Sequence, residues 1–65
     1  MNIDTNKLKI AMANRIMNCT DLAKSTGLSL NTISEYASGK RSPTTKSLGK
    51  IARVLNVDVT ELIEG

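Results

Sequence analysis

The stretch Thr26-Gly27-Leu28-Ser29-Leu30-Asn31-Thr32-Ile33-Ser34-Glu35-Tyr36-Ala37-Ser38-Gly39-Lys40 decides the reading of this chain. Its residues are mostly small or polar, where a fully buried helix would carry a broad apolar face. Gly27 and Gly39 stand where helices stop, because a helix commonly ends on a residue with left-handed backbone and glycine takes that conformation without a Cβ clash. Ser29 follows Gly27 as a capping residue, with Leu28 before it and Ile33 four positions after it. That arrangement is a helix start with a hydrophobic staple around its cap. The stretch therefore predicts a helix of about residues 19–26, a tight glycine turn, and a second helix of about residues 30–38.

The same start signal recurs along the chain. Ile3-Asp4…Leu8, Met17-Asn18…Leu22 and Val57-Asp58…Leu62 repeat the pattern, and Thr44…Leu48 gives a further cap after Pro43. Asp21 and Glu61 sit three residues after Asn18 and Asp58, which reads as a capping box at each. Five starts predict five short helices, and no segment alternates strictly enough to predict a strand. Leu8, Ala11, Met12 and Ile16 make one helical stripe, and Leu48, Ile51, Ala52 and Leu55 another. Helices this short are marginal alone, so a shared core must hold them. The predicted core is Leu8, Met12, Ile16, Leu22, Ala23, Leu28, Ile33, Ile51, Ala52, Leu55 and Leu62.

With 65 residues, the expectation is a single domain over residues 1–65. The one cysteine, Cys19, excludes an internal disulfide and fits a reducing cytoplasm. No apolar run is long enough to span a membrane, and no leader-like segment opens the sequence. There is no histidine, so the usual general base and the familiar zinc spacings are missing. An enzyme, a metal site and a bound cofactor are accordingly not expected. The formal charge is +3, and every lysine and arginine precedes residue 54, while Asp58, Glu61 and Glu64 follow it. The basic part points to an anionic partner, although a solvated surface would carry the same charges.

Ala23, Gly27 and Ile33 carry the decisive spacing: a small residue at the closest helix approach, a glycine turn, and a branched apolar residue that locks the second helix on the first. That is the spacing of a DNA-binding helix-turn-helix, though a tight helical hairpin of another kind can also produce it. The wider run Asn18–Ile63 closely resembles the Cro/phage-repressor (XRE) family of transcription regulators. Leu22-Ala23, Gly27, Ser29, Ile33-Ser34, Gly39-Lys40-Arg41, Pro43, Leu48, Ile51-Ala52, Leu55 and Leu62 carry the likeness, which covers roughly residues 5–64. The resemblance implies an all-α, compact five-helix, lambda-repressor-like domain that docks its third helix in the major groove. It also has departures. Cys19 stands where the family usually has glutamine, and Met12 and Ala37 occupy positions where many relatives have an Arg–Glu pair. Both members of that pair being apolar leaves no buried charge orphaned.

Major-groove readout needs side chains on the first turns that donate and accept at base edges. Leu30, Asn31, Thr32 and Glu35 are the candidate base contacts. Asn31 suits an adenine edge, Leu30 a thymine methyl and Glu35 a cytosine amino group. The candidate phosphate contacts are Asn18, Cys19, Ser34, Tyr36, Lys40, Arg41, Thr44 and Lys46. The loop from Ser38 to Thr44 offers cations, hydroxyls and backbone amides for that purpose. Tyr36 reads as partly buried packing with its hydroxyl at the phosphate edge.

The expected partner is double-stranded DNA, with a palindromic operator bound by a homodimer. Val54, Val59, Leu62 and Ile63 are the candidate surface for the second subunit, with core packing as the alternative and the preferred reading for Leu62. The leading expectation is a sequence-specific transcription regulator, a repressor more than an activator, in the cytoplasm of a prokaryote or encoded by a phage or mobile element. The alternative is an antitoxin or other protein-interaction module in which DNA binding is secondary.

Overall fold

Each helix begins where a side chain takes up otherwise unpaired first-turn amides. The computed structural model describes residues 2–64. Helix α1 spans Thr5–Asn14 and is capped by Asp4, whose carboxylate accepts from the amides of Asn6 at 3.0 Å and Lys7 at 3.1 Å. Helix α2, Cys19–Thr26, starts in a reciprocal capping box: the Asn18 side chain accepts from the Asp21 amide, and the Asp21 carboxylate accepts from the Asn18 amide. Ser29 caps α3, Leu30–Ser38, and Thr44 caps α4, Thr45–Leu55.

The fifth start behaves differently. Asp58 does cap a helical segment and forms its box with Glu61, but the segment is a single 3-10 turn over Val59–Glu61. Among the described residues the fold is therefore all-α with four α-helices, not five. Beyond the turn the chain is drawn out against the N-terminal segment instead of coiling on. Ile63 pairs with Ile3 in an antiparallel bridge, the Asp4 amide donates to the Leu62 carbonyl at 2.8 Å, and the Glu64 amide donates to the Asn2 carbonyl at 3.0 Å. Lys7 reaches over this junction, its Nζ donating to the Ile63 carbonyl at 3.1 Å.

Helix α2 packs on α3 and α4, and α1 packs on α3. Leu8, Leu22, Ile33, Ile51, Leu55 and Leu62 are fully buried at the centre, with Met12, Ala23 and Ala52 beside them. Ile3, Ala11, Leu48 and Tyr36 complete the buried cluster. Leu28 is only half-buried, packed against the cluster's edge.

Ile16 departs fully from its expected core position and is 91% exposed. Its amide donates to the Ala13 carbonyl, and the amide of Met17 donates to that of Met12. This paired bonding is a Schellman stop, and it places Ile16 at the left-handed position with φ 54°. The helix has ended by then, so the apolar spacing from Met12 no longer carries Ile16 to the core. The same paired stop occurs at Gly39 (φ 82°) and Asn56 (φ 57°), while Gly27 (φ 77°) shares the left-handed backbone with only its own amide bonded back, to the Ala23 carbonyl.

Candidate nucleic-acid interface

The candidate surface is built outward from the α2–α3 turn. Ala23, 6% exposed, lets α3 approach α2, and Ile33, fully buried, holds it there. Thr26 is the residue that sequence reasoning missed. It is buried, its hydroxyl donates to the Leu22 carbonyl at 2.7 Å, and the same oxygen accepts from the Leu28 amide at 3.3 Å. A threonine just before the turn glycine is the signal for such a back-bonded hydroxyl. The side chain thereby supplies the acceptor for a turn amide that the stopped helix leaves over.

At about 3.6 residues per turn, Ile33, Tyr36 and Ala37 share the inner face of α3, and Asn31, Ser34, Glu35 and Ser38 share the outer one. Asn31 and Ser34 are exposed, and Leu30 flanks them with half of its surface free. Thr32 turns to the side: it is half-buried, and its hydroxyl accepts from Ser29 Oγ at 2.8 Å. Part of its bonding capacity is thus spent on the cap. Glu35 faces outward but is paired, its Oε1 lying 3.5 Å from Nη1 of Arg41. The Arg41 guanidinium also lies 6.0 Å from the centre of the Tyr36 ring, within cation–π range.

The candidate phosphate contacts fall into two groups. Lys40, Arg41 and Lys46 are exposed cations on the loop after α3 and the first turn of α4. Asn18 and Cys19 lie at the start of α2, Asn18 exposed with its side-chain oxygen already bonded to the Asp21 amide, and Cys19 half-buried with a free thiol. Thr44 is exposed, but its hydroxyl accepts from the Ser47 amide at 3.2 Å, so it serves first as a cap. Tyr36 is only 2% exposed, more buried than expected, which leaves no more than an edge of the ring or its hydroxyl at the surface.

The loop's backbone amides are less available than the sequence suggests. Those of Gly39 and Lys40 donate to the carbonyls of Tyr36 and Glu35 and close α3. The amides of Thr45 and Lys46, in the first turn of α4, have no acceptor among the described residues and point the helix's positive end outward. The loop is anchored from behind, with Ser42 Oγ donating to Asn2 Oδ1 at 3.2 Å. Among the candidate subunit contacts, Leu62 is a fully buried core residue, and Val54, Val59 and Ile63 are half-buried against the core. No group of side chains suited to a metal ion occurs among the described residues, and no described helix is long and apolar enough to cross a membrane.

Two short helices joined at a left-handed glycine, with the second clamped inward by Ile33 and open outward at Asn31, define a helix-turn-helix unit. The chain belongs to the helix-turn-helix family of the XRE type, whose family model, described as Helix-turn-helix, matches residues 8–62. It is similar to the crystal structure of a candidate DNA-binding protein from Bacteroides fragilis, with 38% identity and a TM-score of 0.81 over 89% of this chain and 94% of that one. It also matches part of the structure of Phpd with cadmium and hydroethylphosphonate, at 23% identity and a TM-score of 0.82. That match covers all of this chain but 14% of the other, and shows a common fold alone. No curated protein matches the chain significantly.

Proposed function

We propose that the protein is a sequence-specific transcription regulator that inserts α3 into the major groove and acts as a repressor by occupying its operator. One observation carries the reading: Asn31 stands exposed on the outer face of a helix whose inner face is locked by Ile33 and Tyr36. An asparagine held this way can pair with N6 and N7 of an adenine, donating and accepting at once. Leu30 beside it suits a thymine methyl, and Thr32 can contribute its remaining hydroxyl proton.

Phosphates on one side of the groove meet Lys40, Arg41, Lys46 and the first-turn amides of α4, with Thr44 and the Tyr36 hydroxyl at the margin. Those on the other side meet Asn18 and Cys19 at the start of α2, with Ser34 between. Such contacts fix the position of the helix, and base contacts supply the sequence information. Cys19 is a weak hydrogen-bond donor, so the anchoring at α2 rests more on Asn18 and the helix's first-turn amides.

One domain reads few base pairs, and a homodimer on a palindromic operator supplies the rest. The longest principal extent of the domain, 27 Å, is shorter than the roughly 34 Å between successive major-groove faces, so two copies fit side by side on one face of the duplex.

Selection of bound sequences from a random duplex pool, followed by footprinting, tests the reading. The expected result is a two-fold-symmetric site in which Asn31→Ala costs about 1–3 kcal/mol and relaxes the preference for adenine at one position. Uniform binding across sequences, untouched by Asn31→Ala, would overturn it.

A further inference from the structure

The one ion pair among the described residues joins the outer face of α3 to the loop that follows it. Glu35 lies one helical turn beyond Asn31, so on the reading of α3 as a major-groove helix it looks at base edges. Its partner Arg41 belongs to the basic loop and on the same reading looks at phosphates. Neither charge is buried: the side chains keep 35% and 56% of their exposure. The pair can therefore open without leaving a charge stranded in the protein interior. The Tyr36 ring, 6.0 Å below the guanidinium and almost wholly buried, gives Arg41 a fixed pivot from which to swing.

A carboxylate only accepts hydrogen bonds. In the major groove it finds donors at the amino groups of cytosine and adenine, and only acceptors on guanine N7 and O6 and on thymine O4. Over the wrong base Glu35 has no better partner than Arg41. Over cytosine or adenine the base amino group replaces the guanidinium, and Arg41 becomes free to meet a phosphate.

We infer that Glu35 is a specificity-determining residue that acts through Arg41, making one phosphate contact conditional on one base contact. This rests on the DNA-binding reading above and deepens it. Off the operator, Arg41 is occupied by Glu35 and contributes little to sequence-independent binding. On the operator, the released guanidinium adds a phosphate contact, so discrimination grows without any further base-reading side chain.

The rival explanation is plain repulsion between Glu35 and the phosphates, which does not need Arg41. A salt titration of binding to a short random-sequence duplex separates the two, using Glu35→Gln in the natural background and in an Arg41→Gln background, with circular dichroism to verify folding. With Arg41 present, Glu35→Gln tightens random-duplex binding about two- to fivefold at low salt, the range an exposed ion pair commands. It also steepens the plot of log K against log salt by about 0.9, the signature of one added phosphate contact. With Arg41→Gln already in place, the same change leaves the slope as it was. An equal gain in both backgrounds overturns the coupling and leaves the DNA reading intact. Failure of the unaltered protein to bind any duplex at low salt overturns both.

Discussion

The α1–α2 and α2–α3 connections are built to one plan from unequal parts. Each places a left-handed residue, then an apolar residue, then a cap: Ile16-Met17-Asn18 in the first, Gly27-Leu28-Ser29 in the second. In the second, the left-handed residue is glycine with open space around it, so neither strain nor crowding is present. In the first it is a β-branched isoleucine, forced to φ 54° with its side chain 91% in water. Left-handed backbone costs an ordinary residue roughly 1–2 kcal/mol, and a branched one is a rarer occupant still. The backbone bonds differ as well. The first connection closes with both Schellman bonds, whereas in the second only the Gly27 amide returns to a helix carbonyl and the Leu28 amide goes to Thr26 Oγ1. The turn that aims α3 thus depends on a side chain, and the other depends on its backbone alone.

Removing that side chain has the largest expected effect. Thr26→Val keeps the shape but deletes the hydroxyl, leaving the half-buried Leu28 amide without its acceptor. A loss of about 1–3 kcal/mol follows from an unsatisfied donor, or roughly 4–8 °C in Tm per kcal/mol for a domain of this size. Thermal unfolding measures it, and an unchanged Tm would mean that water replaces the hydroxyl at no cost. Exchanging the left-handed residues sharpens the contrast. Gly27→Ile transfers the strain to the second connection and destabilises by about 1–2 kcal/mol. Ile16→Gly relieves the first and stabilises by about 1 kcal/mol, part of the relief being offset by the greater freedom of glycine in the unfolded chain. Denaturant midpoints of the two variants should move in opposite directions. A loss of stability on Ile16→Gly would show that the exposed side chain has packing value in the free protein.

These particulars explain what the sequence made legible. Caps are local: Asp4, Asn18, Ser29, Thr44 and Asp58 each carry an oxygen that reaches an amide two or three residues on, and all five function as caps. The inward face of α3 was readable because Ile33 is four residues from the cap Ser29 and six from Gly27. Ile16 was misread because its spacing from Met12 fits a helix that has already ended at Asn14, and nothing local marks an isoleucine as left-handed. The pairing of Ile3 with Ile63 was illegible for another reason: it joins opposite ends of the chain, and that contact cuts the expected fifth helix down to one turn. In the candidate interface, residue types and helix face could be read, but not partners. Glu35 and Arg41 are six residues apart across a helix end, a separation set by how Gly39 turns the chain.

A third connection, Asn56-Val57-Asp58, completes the comparison, because there the plan is carried out with asparagine at the left-handed position and an aspartate cap. Asparagine tolerates that backbone far better than isoleucine, so any weakness here lies in the cap. The backbone amide of Thr60, and then its hydroxyl, donate to the Asp58 carboxylate and hold it below its ordinary value of 3.8. A carboxyl group with a lowered value in the folded state stabilises most where it is ionised in both states, above about pH 4. That contribution falls away as acid protonates it in the native protein, below about pH 4. Asp58→Asn keeps a capping oxygen but has no charge to lose. The stability advantage of the natural protein over this variant should hold steady at neutral pH and shrink as the pH is lowered toward 2. Because the carboxylate is fully exposed, the advantage is the smallest of those considered and weakens further with added salt. Thermal melts of both proteins across that range decide it: a gap independent of pH would mean that the geometry of the oxygen, and not its charge, holds the last turn against Ile3.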